Sequence, residues 1–493
     1  MTSQSDPVGA ISVFDMLKIG IGPSSSHTLG PWRAAEQFVT EIRLGGRLTD
    51  LAHVRVDLYG SLAKTGRGHG TGIAMMMGLA GYDPETCDVE RVQELGPETL
   101  ASGSLSIGGE FPVPFVRERD IMFESGITLD RHPNGMRFTA EFNDGTTRTQ
   151  TSYSVGGGFV LHDDETAGTA SDERVDTTVR LPNPIVSAAD LARWCSESGG
   201  TIADIVRTNE RTWRSDPEID ADLLRIRDVM RDCIFRGVST GGTLPGGLNV
   251  ARRALGLHRS LLGDATTHRD SAQWFDTLRR ASLDFDDTVR LVSCLALAVN
   301  EENAAFGRVV TAPTNGAAGV LPAVLFHHLA RLDAMQWSAP DLDAESVRFL
   351  LVASEIGSIF KKGATISAAL GGCQAEIGVS SAMAAAALTE CRGGTVAQAL
   401  MAAEIAMEHH LGLTCDPIGG LVQVPCIERN AMGAMKAISA AHLAMASEPE
   451  LARVSLDDVI ETMWATAQDM NAKYKETAEG GLATRIPVSV VEC

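Results

Sequence analysis

The chain has 493 residues and a formal net charge of −21, and its isoelectric point lies near 5.0. This acidity argues against nucleic acid or an anionic membrane surface as a partner, because polyanions select basic patches. Hydrophobic residues make up 44% of the chain and charged residues 21%, which is typical of a globular protein with about two to three domains.

No segment has the features of a secretory signal or a membrane span. The first residues lack both the basic and the apolar part of a signal peptide. The longest uncharged segment, residues 312–330, contains Pro313 and Pro322 and is predicted to be a buried helix with its entry loop. We therefore expect a cytoplasmic protein without membrane contact.

Strand and helix signals are mixed in the first part of the chain. Apolar and polar residues alternate over residues 54–58, which predicts a half-buried strand, and an Asp144–Gly145 turn between two β-prone runs predicts a hairpin. Residues 31–42 carry apolar side chains on one helical face. These patterns predict an N-terminal α/β (α+β) domain over residues 1–161.

An acidic segment that is poor in apolar residues follows and is predicted to be a linker over residues 162–186. Beyond it strand signals nearly vanish, and residues 187–493 are predicted to form an all-α helical domain. The uncharged residues 380–388 are expected to form a central helix of this domain. The predicted helices span residues 220–235, 288–300, 345–362, 377–389, 396–409 and 430–446.

Three of the nine cysteines lie at chain breaks marked by Gly or Pro: Cys373, Cys415 and Cys426. An iron–sulfur cluster needs thiolates at such loop positions, where free backbone N–H groups can hydrogen-bond the sulfur atoms. Their spacing matches neither a ferredoxin nor a zinc-ribbon pattern. Buried structural thiols therefore remain an alternative at this point. Cys294, in an apolar run, is predicted to lie in the core.

The last residue is Cys493. A terminal thiol beside its own carboxylate can act as a mobile chelating group, although a disordered tail is the usual alternative.

A cluster of hydroxyl groups and a histidine precedes the first predicted helix, in the sequence GIGPSSSHT. The side chains and free N–H groups of this segment can face a carboxylate. An ordinary serine-rich N-cap is the alternative, but the hydroxyls are denser than capping requires. We therefore expect ligand binding by Ser24, Ser25, Ser26, His27 and Thr28.

Two further histidines are candidates for acid–base chemistry. His69 lies in a glycine-rich loop, residues 66–72, that lacks the ending of a phosphate-binding loop. It is either an acid–base residue or a histidine exposed in a mobile loop. His132 lies in a predicted turn, and its pattern alone does not single it out.

Polar loops in the second half offer two other possibilities. Asn315, in residues 311–319, is suited to binding a small polar ligand, although a plain Pro-Asn-Gly turn is equally compatible with the pattern. Lys473 or Lys475 could form a Schiff base with pyridoxal phosphate. No glycine-rich phosphate cup accompanies either lysine, so we favour solvated lysines.

Taken together, the motifs resemble the iron–sulfur-dependent L-serine dehydratases (L-serine ammonia-lyases) of the single-chain bacterial type. The resemblance covers nearly the whole chain, and the motifs in this order are highly specific. They are SVFD (12–15), GPSSSHT (22–28), YGSLAKTGRGHGT (59–71), HPNGM (132–136), YSVGGGF (153–159), APTNGAAG (312–319), GGCQAEIG (371–378), CDPIGGLVQVPCIERN (415–430) and KYKET (473–477).

The resemblance implies an α/β N-terminal domain, an all-α catalytic domain and a homodimer. It also implies a 4Fe-4S cluster held by Cys373, Cys415 and Cys426, with Cys493 on the fourth iron at rest. Relatives place the counterparts of three histidines near the active site: His27, His69 and His132. Two departures are that Gly72 stands where relatives often have Asp, and that residues 379–383 lack a cysteine often found there.

The expected reaction is the conversion of L-serine to pyruvate and ammonium. It requires a Lewis acid at the β-hydroxyl and a base for the α-proton. We expect the open iron as the acid, His69 or His132 as the base, and His27 with the three serines on the substrate carboxylate or amine. A pyridoxal-phosphate dehydratase and a non-catalytic small-molecule sensor with a helical scaffold are the alternatives.

Overall fold

The computed structural model describes residues 9–163, 179–332, 337–486 and 488. They form an N-terminal α/β region followed by a larger helical region, which confirms the predicted fold class. Most of the predicted linker and Cys493 lie outside the described residues, and the domain boundaries stay predictions.

The N-terminal region contains six α-helices and eight strands among the described residues. The helices are α1 (Val13–Met16), α2 (Gly30–Leu44), α3 (Gly60–Thr65), α4 (Thr71–Leu79), α5 (Glu90–Ser102) and α6 (Arg117–Asp120). The strands are β1 (Ile19–Ile21), β2 (Leu51–Tyr59), β3 (Ser104–Ile107), β4 (Phe111–Pro114), β5 (Ile121–Glu124), β6 (Gly135–Phe142), β7 (Thr147–Ser154) and β8 (Val160–His162).

A five-stranded sheet of order β5-β2-β6-β7-β8 is the centre of this region, and β3 and β4 form a separate pair. β2 pairs in parallel with β5, whereas the other neighbours in the five-stranded sheet are antiparallel. The predicted strand at residues 54–58 lies in β2, and the Asp144–Gly145 turn joins β6 to β7. Both predictions are confirmed.

Helix α2 packs its apolar face on this sheet. The ring of Phe38 stacks on that of Phe138 in β6, with ring centroids 5.1 Å apart, and Trp32 is fully buried. The predicted helix at residues 31–42 is thereby confirmed, because its apolar stripe is the surface that the sheet covers.

The helical region contains the remaining α-helices of the described chain and one short strand. They are α7 (Ala188–Ser198), α8 (Ile202–Glu210), α9 (Asp216–Ser239), α10 (Ala254–Leu262), α11 (Ser271–Arg279), α12 (Phe285–Ala304), β9 (Arg308–Val310), α13 (Val320–Arg331), α14 (Ala339–Gly363), α15 (Ala368–Gly371), α16 (Ile377–Cys391), α17 (Val396–Glu408), α18 (Cys426–Met445) and α19 (Leu456–Asp469). Among the described helices, none is long and apolar enough to cross a membrane.

Helix α16 lies at the centre, as predicted from its lack of a charged face. It is buried from Ile377 to Glu390 and contacts α13, α14, α17 and α18. All six predicted helices of this region are present. Strand β9, which pairs with β1, escaped prediction because three residues are too short a run to show a period.

The first described residues belong to the core of the helical region. Ile11, Val13, Met16 and Leu17 are buried in the same apolar cluster as α12, α14 and α16. Glu210, at the end of α8, accepts hydrogen bonds from the Val13 N–H at 2.8 Å and from a serine hydroxyl of this segment at 2.9 Å. The N-terminal segment is thus fastened to the helical region before the chain enters the sheet.

Glu210 should make the stability of the protein depend on pH. Burial raises the pKa of its carboxyl from 4.5 to about 7, so the folded state favours the protonated form. The protonated carboxyl therefore contributes up to about 3 kcal/mol to the free energy of unfolding. This contribution is complete below pH 4.5 and is lost as the pH rises through 7. We expect Glu210→Gln to abolish this loss, measured as the urea midpoint at pH 5 and pH 7.5.

The control is Glu218→Gln at the exposed start of α9. Hydrogen bonds from Ser215 lower the pKa of the Glu218 carboxyl, so it is ionised throughout this pH range. The Glu218→Gln variant should follow the wild type at both pH values. Equal pH dependence in wild type and Glu210→Gln would contradict the assignment.

Candidate functional site

The three cysteines at Gly/Pro breaks are all buried in the helical region. Cys373 lies in a 3₁₀ turn between α15 and α16, Cys415 in the loop after α17, and Cys426 at the first position of α18. The donor atoms of Cys373, Cys415 and Glu376 lie within 4.8 Å of one another. Burial first, and then the charge of Cys373, raises the pKa of the Cys426 thiol, so the charge of Cys373 acts on the third cysteine as well.

Arg429, one turn into α18, holds two of the cysteine loops together. Its guanidinium donates to the Cys373 Sγ at 3.4 Å, to the Thr414 carbonyl at 2.6 Å and to the Asp416 carboxylate at 3.1 Å. The pKa of the Cys373 thiol falls to about 7 because Cys415 hydrogen-bonds it and the Arg429 charge adds to this, against the effect of burial. The site therefore favours a thiolate at Cys373.

A pair of histidines with a carboxylate lies beside the cysteines. The Oε1 atom of Glu476 is 3.6 Å from the His27 Nδ1 and 3.6 Å from the His69 Nε2, and the two imidazole rings stack with centroids 4.5 Å apart. The Glu476 N–H donates to the Cys415 carbonyl at 2.9 Å. One backbone contact thus joins the histidine pair to the cysteine loop.

Glu476 was not among the residues selected from the sequence. It belongs to the KYKET motif, in which only the two lysines attracted attention. The one signal for it was membership of that motif, because nothing local distinguishes this carboxylate from a solvated one. The structure buries Glu476, exposes Lys473 and half-buries Lys475.

His69 is fully buried, so the alternative of an exposed histidine in a mobile loop is wrong. Its Nδ1 lies 2.9 Å from the Thr65 carbonyl, which can only accept, so Nδ1 carries the proton and Nε2 holds the free electron pair. Burial lowers the pKa of this imidazole to about 4, against a small rise from the Thr65 bond. His69 is therefore a neutral base at pH 7.

His27 is held at both nitrogens. Its Nδ1 is 2.9 Å from the Ser26 hydroxyl and its Nε2 is 3.0 Å from the Ser61 hydroxyl, which itself donates to the Glu476 carbonyl at 2.8 Å. Ser61 must accept from the His27 Nε2–H, which leaves Nδ1 to accept from Ser26. Burial, followed by the charge of His69, lowers the pKa of His27 well below its usual value.

His132 has the opposite tautomer from His69. Its Nδ1 accepts the Asn134 N–H at 3.0 Å, so the neutral ring carries its proton on Nε2, which is buried and has no hydrogen-bond partner among the described residues. Burial lowers the pKa of His132 to about 3. The neutral ring therefore presents an N–H donor at Nε2, and whether His132 or His69 is the base stays a prediction.

The predicted substrate-binding residues are all buried, and most of them hold local structure. The Ser24 Oγ accepts the His27 N–H, and the Ser25 carbonyl accepts from the start of α2. The Thr28 hydroxyl donates to the His69 carbonyl at 2.7 Å. The substrate-binding role of these residues stays a prediction.

Asn315 lies in a short 3₁₀ turn that follows β9. Its Nδ2 donates to the Asn303 side chain at 3.2 Å, and its Oδ1 is buried without a hydrogen-bond partner among the described residues. The preceding residue, Thr314, donates to the Glu376 carboxylate at 2.7 Å. This turn therefore borders the cysteine group and leaves one acceptor free for a ligand.

The fold and this site together define a class of protein: an α/β domain joined to a helical domain, with a buried group of thiol, imidazole and carboxylate donors of the kind that bind a metal cluster. Residues 197–483 match the family model of the serine dehydratase alpha chain, and residues 12–165 match that of the beta chain. The chain belongs to the serine dehydratase family.

Relatives match over nearly the full length. The chain is 50% identical to an L-serine dehydratase of Mycobacterium bovis over 98% of this chain and 100% of the relative. It is 47% identical to L-serine dehydratase 2 of Escherichia coli over 97% of this chain and 99% of the relative. It is 40% identical to an L-serine dehydratase of Helicobacter pylori over the same shares of the two chains.

Proposed function

We propose that the protein is an L-serine ammonia-lyase, a lyase that converts L-serine to pyruvate and ammonium. The observation that carries this proposal is a buried neutral imidazole, His69, which lies 3.6 Å from Glu476, whose N–H in turn is bonded to the loop of Cys415. The relatives named above bear the same activity in their names and match nearly the whole length of the chain. A non-catalytic sensor would need neither the base nor the thiols.

We further propose that the cofactor is a 4Fe-4S cluster held by Cys373, Cys415 and Cys426. The donor set suits it: all three thiols are buried, in a turn, in a loop and at a helix start, and Arg429 donates to one of them, as cluster thiolates require of their surroundings. Cys493 is proposed as the ligand of the remaining iron at rest. When bound, the cluster supplies a Lewis acid that polarises the bond between the β-carbon of serine and its hydroxyl.

The residues of the chain divide the remaining work. His69 accepts the α-proton at Nε2, because that nitrogen holds the free electron pair and is unprotonated at pH 7. His132 donates a hydrogen bond to the substrate from its unpartnered Nε2–H. Hydrogen bonds to Ser26 and Ser61 fix the ring of His27, and this ring stacks on that of His69 and so holds the base in position. Loss of the α-proton and cleavage of the bond between the β-carbon and its hydroxyl, which leaves as water, give 2-aminoacrylate. This tautomerises to an imine, and water hydrolyses the imine to pyruvate and ammonium.

Anaerobic turnover of L-serine, with iron and inorganic sulfide counted per chain, tests the proposal. A broad brown absorbance that oxygen bleaches is expected. A sharp yellow band that oxygen leaves unchanged would instead favour a pyridoxal-phosphate enzyme acting through Lys473 or Lys475. A colourless, sulfide-free preparation that still forms pyruvate would refute the cluster.

Arg429 should be needed to retain the cluster. Arg429→Gln removes the charge beside the Cys373 Sγ and the clamp on the Cys415 loop, so we expect iron release to a chelator to be about 10-fold faster. The matched control is Arg253→Gln, which breaks an exposed ion pair with Glu428 of the same helix. Equal rates of iron release in the two variants would contradict this role.

We also propose a cytoplasmic homodimer, on the family resemblance. Sedimentation of the anaerobic holoenzyme measures the oligomeric state, and a monomer at all concentrations would refute it.

A further inference from the structure

We propose that the Glu476 carboxylate binds the α-ammonium group of the amino acid substrate through its Oε2 atom. This inference rests on the proposed function, since it assumes an amino acid as substrate. It adds a residue that selects for the amino group of the substrate.

The two oxygens of the carboxylate differ in their surroundings. Oε1 lies between His27 and His69, 3.6 Å from each ring. Oε2 is buried and has no hydrogen-bond partner among the described residues. The side chain as a whole is only 5% exposed, so bulk water does not replace that partner. An unpaired buried acceptor costs about 1–3 kcal/mol, so it is expected where a ligand completes it.

The backbone holds this carboxylate in one place. Glu476 has a φ of 57°, in the left-handed region that costs a residue with a side chain about 1–2 kcal/mol. Its N–H is bonded to the Cys415 carbonyl, and its own carbonyl accepts from Ser61 at 2.8 Å. Contacts from both domains maintain this strained backbone conformation. We infer that the conformation serves to position the Glu476 carboxylate.

The charged groups that act most strongly on the Glu476 carboxyl are Glu376 and Cys373, both of which are negative when ionised. Burial keeps the facing imidazoles of His27 and His69 neutral, and Arg429 is already paired with Asp416. A substrate ammonium would bring a positive charge to this buried carboxylate.

An ammonium group carries three N–H donors, and one of them would complete the unpaired Oε2 acceptor. A ligand that lacks the amino group cannot donate a hydrogen bond to Oε2 in this way. The site should therefore discriminate on the amino group.

The test compares two competitive inhibitors of the holoenzyme: L-alanine, which has the ammonium and carboxylate groups, and 3-hydroxypropanoate, which has the hydroxyl and carboxylate groups. In Glu476→Gln we expect the KM for L-serine and the inhibition constant of L-alanine to rise about 10- to 100-fold. The inhibition constant of 3-hydroxypropanoate should change less than about threefold. Glu476→Asp, which keeps the charge, should retain most of the preference for L-alanine over 3-hydroxypropanoate.

The control is Glu479→Gln, an exposed carboxylate of the same segment that pairs with Lys64 at 2.8 Å. It should leave both inhibition constants unchanged. If binding of both inhibitors weakens equally in Glu476→Gln, the carboxylate acts only by positioning histidines and the proposal is wrong. Iron and sulfide counts accompany each variant; should Glu476→Gln lose its iron, the inhibitor preference of Glu476→Asp decides. Failure of the wild-type holoenzyme to convert L-serine would instead refute the proposed function.

Discussion

Cys415→Ala should leave a folded protein that retains neither iron nor inorganic sulfide and forms pyruvate from L-serine at least about 10³-fold more slowly, because a Lewis acid contributes several kcal/mol to such a step. Alanine has no atom that can bind iron. We expect the two remaining thiolates, those of Cys373 and Cys426, to be too few to retain a cluster that needs three. The measurements are iron and sulfide per chain, visible absorbance and anaerobic turnover. Circular dichroism checks that the helices are intact.

The matched control for this variant is Cys294→Ala. Cys294 is equally buried, but its Sγ donates to the Ala254 carbonyl at 3.4 Å inside the helical core. Its loss should cost about 1–2 kcal/mol of stability and leave the iron content unchanged. A Cys415→Ala protein with full iron content, or a Cys294→Ala protein without iron, would overturn the assignment of ligands.

His69→Gln should lower kcat about 10²- to 10⁴-fold while iron and sulfide stay at wild-type levels. The glutamine can keep a hydrogen bond to the Thr65 carbonyl, but it has no nitrogen that accepts a proton at pH 7. Single-turnover measurement of pyruvate formation, under anaerobic conditions, separates the chemical step from product release.

Two further variants make this result specific. His258 is buried, has its Nδ1 2.9 Å from the Gly263 carbonyl and accepts at Nε2 from Trp274. It therefore has the same tautomer as His69, but it lies in α10 and belongs to neither the His27–His69–Glu476 group nor the Cys373–Glu376–Cys415 group. His258→Gln should alter stability and leave kcat unchanged. His132→Gln tests the alternative base: a large loss there with near-normal activity of His69→Gln would reverse the two roles.

Part of the site was open to prediction because its signals are local. Gly and Pro around Cys373, Cys415 and Cys426 mark chain breaks, and a break is where a thiolate meets free N–H groups. The spacing between the three could not show that they meet, since proximity depends on how α15, α16 and α18 pack. The family motifs implied that step, and the structure groups the donor atoms of Cys373 and Cys415 within 4.8 Å of each other.

For the histidines, too, the sequence showed one part of the site and the folded structure another. Their presence in glycine-rich and serine-rich segments was visible, but the choice between His69 and His132 as base was left open. It depends on which ring nitrogen meets a carbonyl and which meets an N–H, and these partners, Thr65 and Asn134, become apparent only from the folded backbone. A residue pattern carries no information about tautomers.

By itself, the sequence determined the local elements of this protein: the alternating strand β2, the β6–β7 hairpin, the uncharged helix α16 and the loops that bear the cysteines. These follow from interactions between residues a few positions apart, which periodicity and turn chemistry record. The tertiary structure decided that the N-terminal segment joins the helical core and that Glu476 lies between two histidines. Ser61 and Glu476 are 415 positions apart, and only the packing of both domains brings such residues into contact.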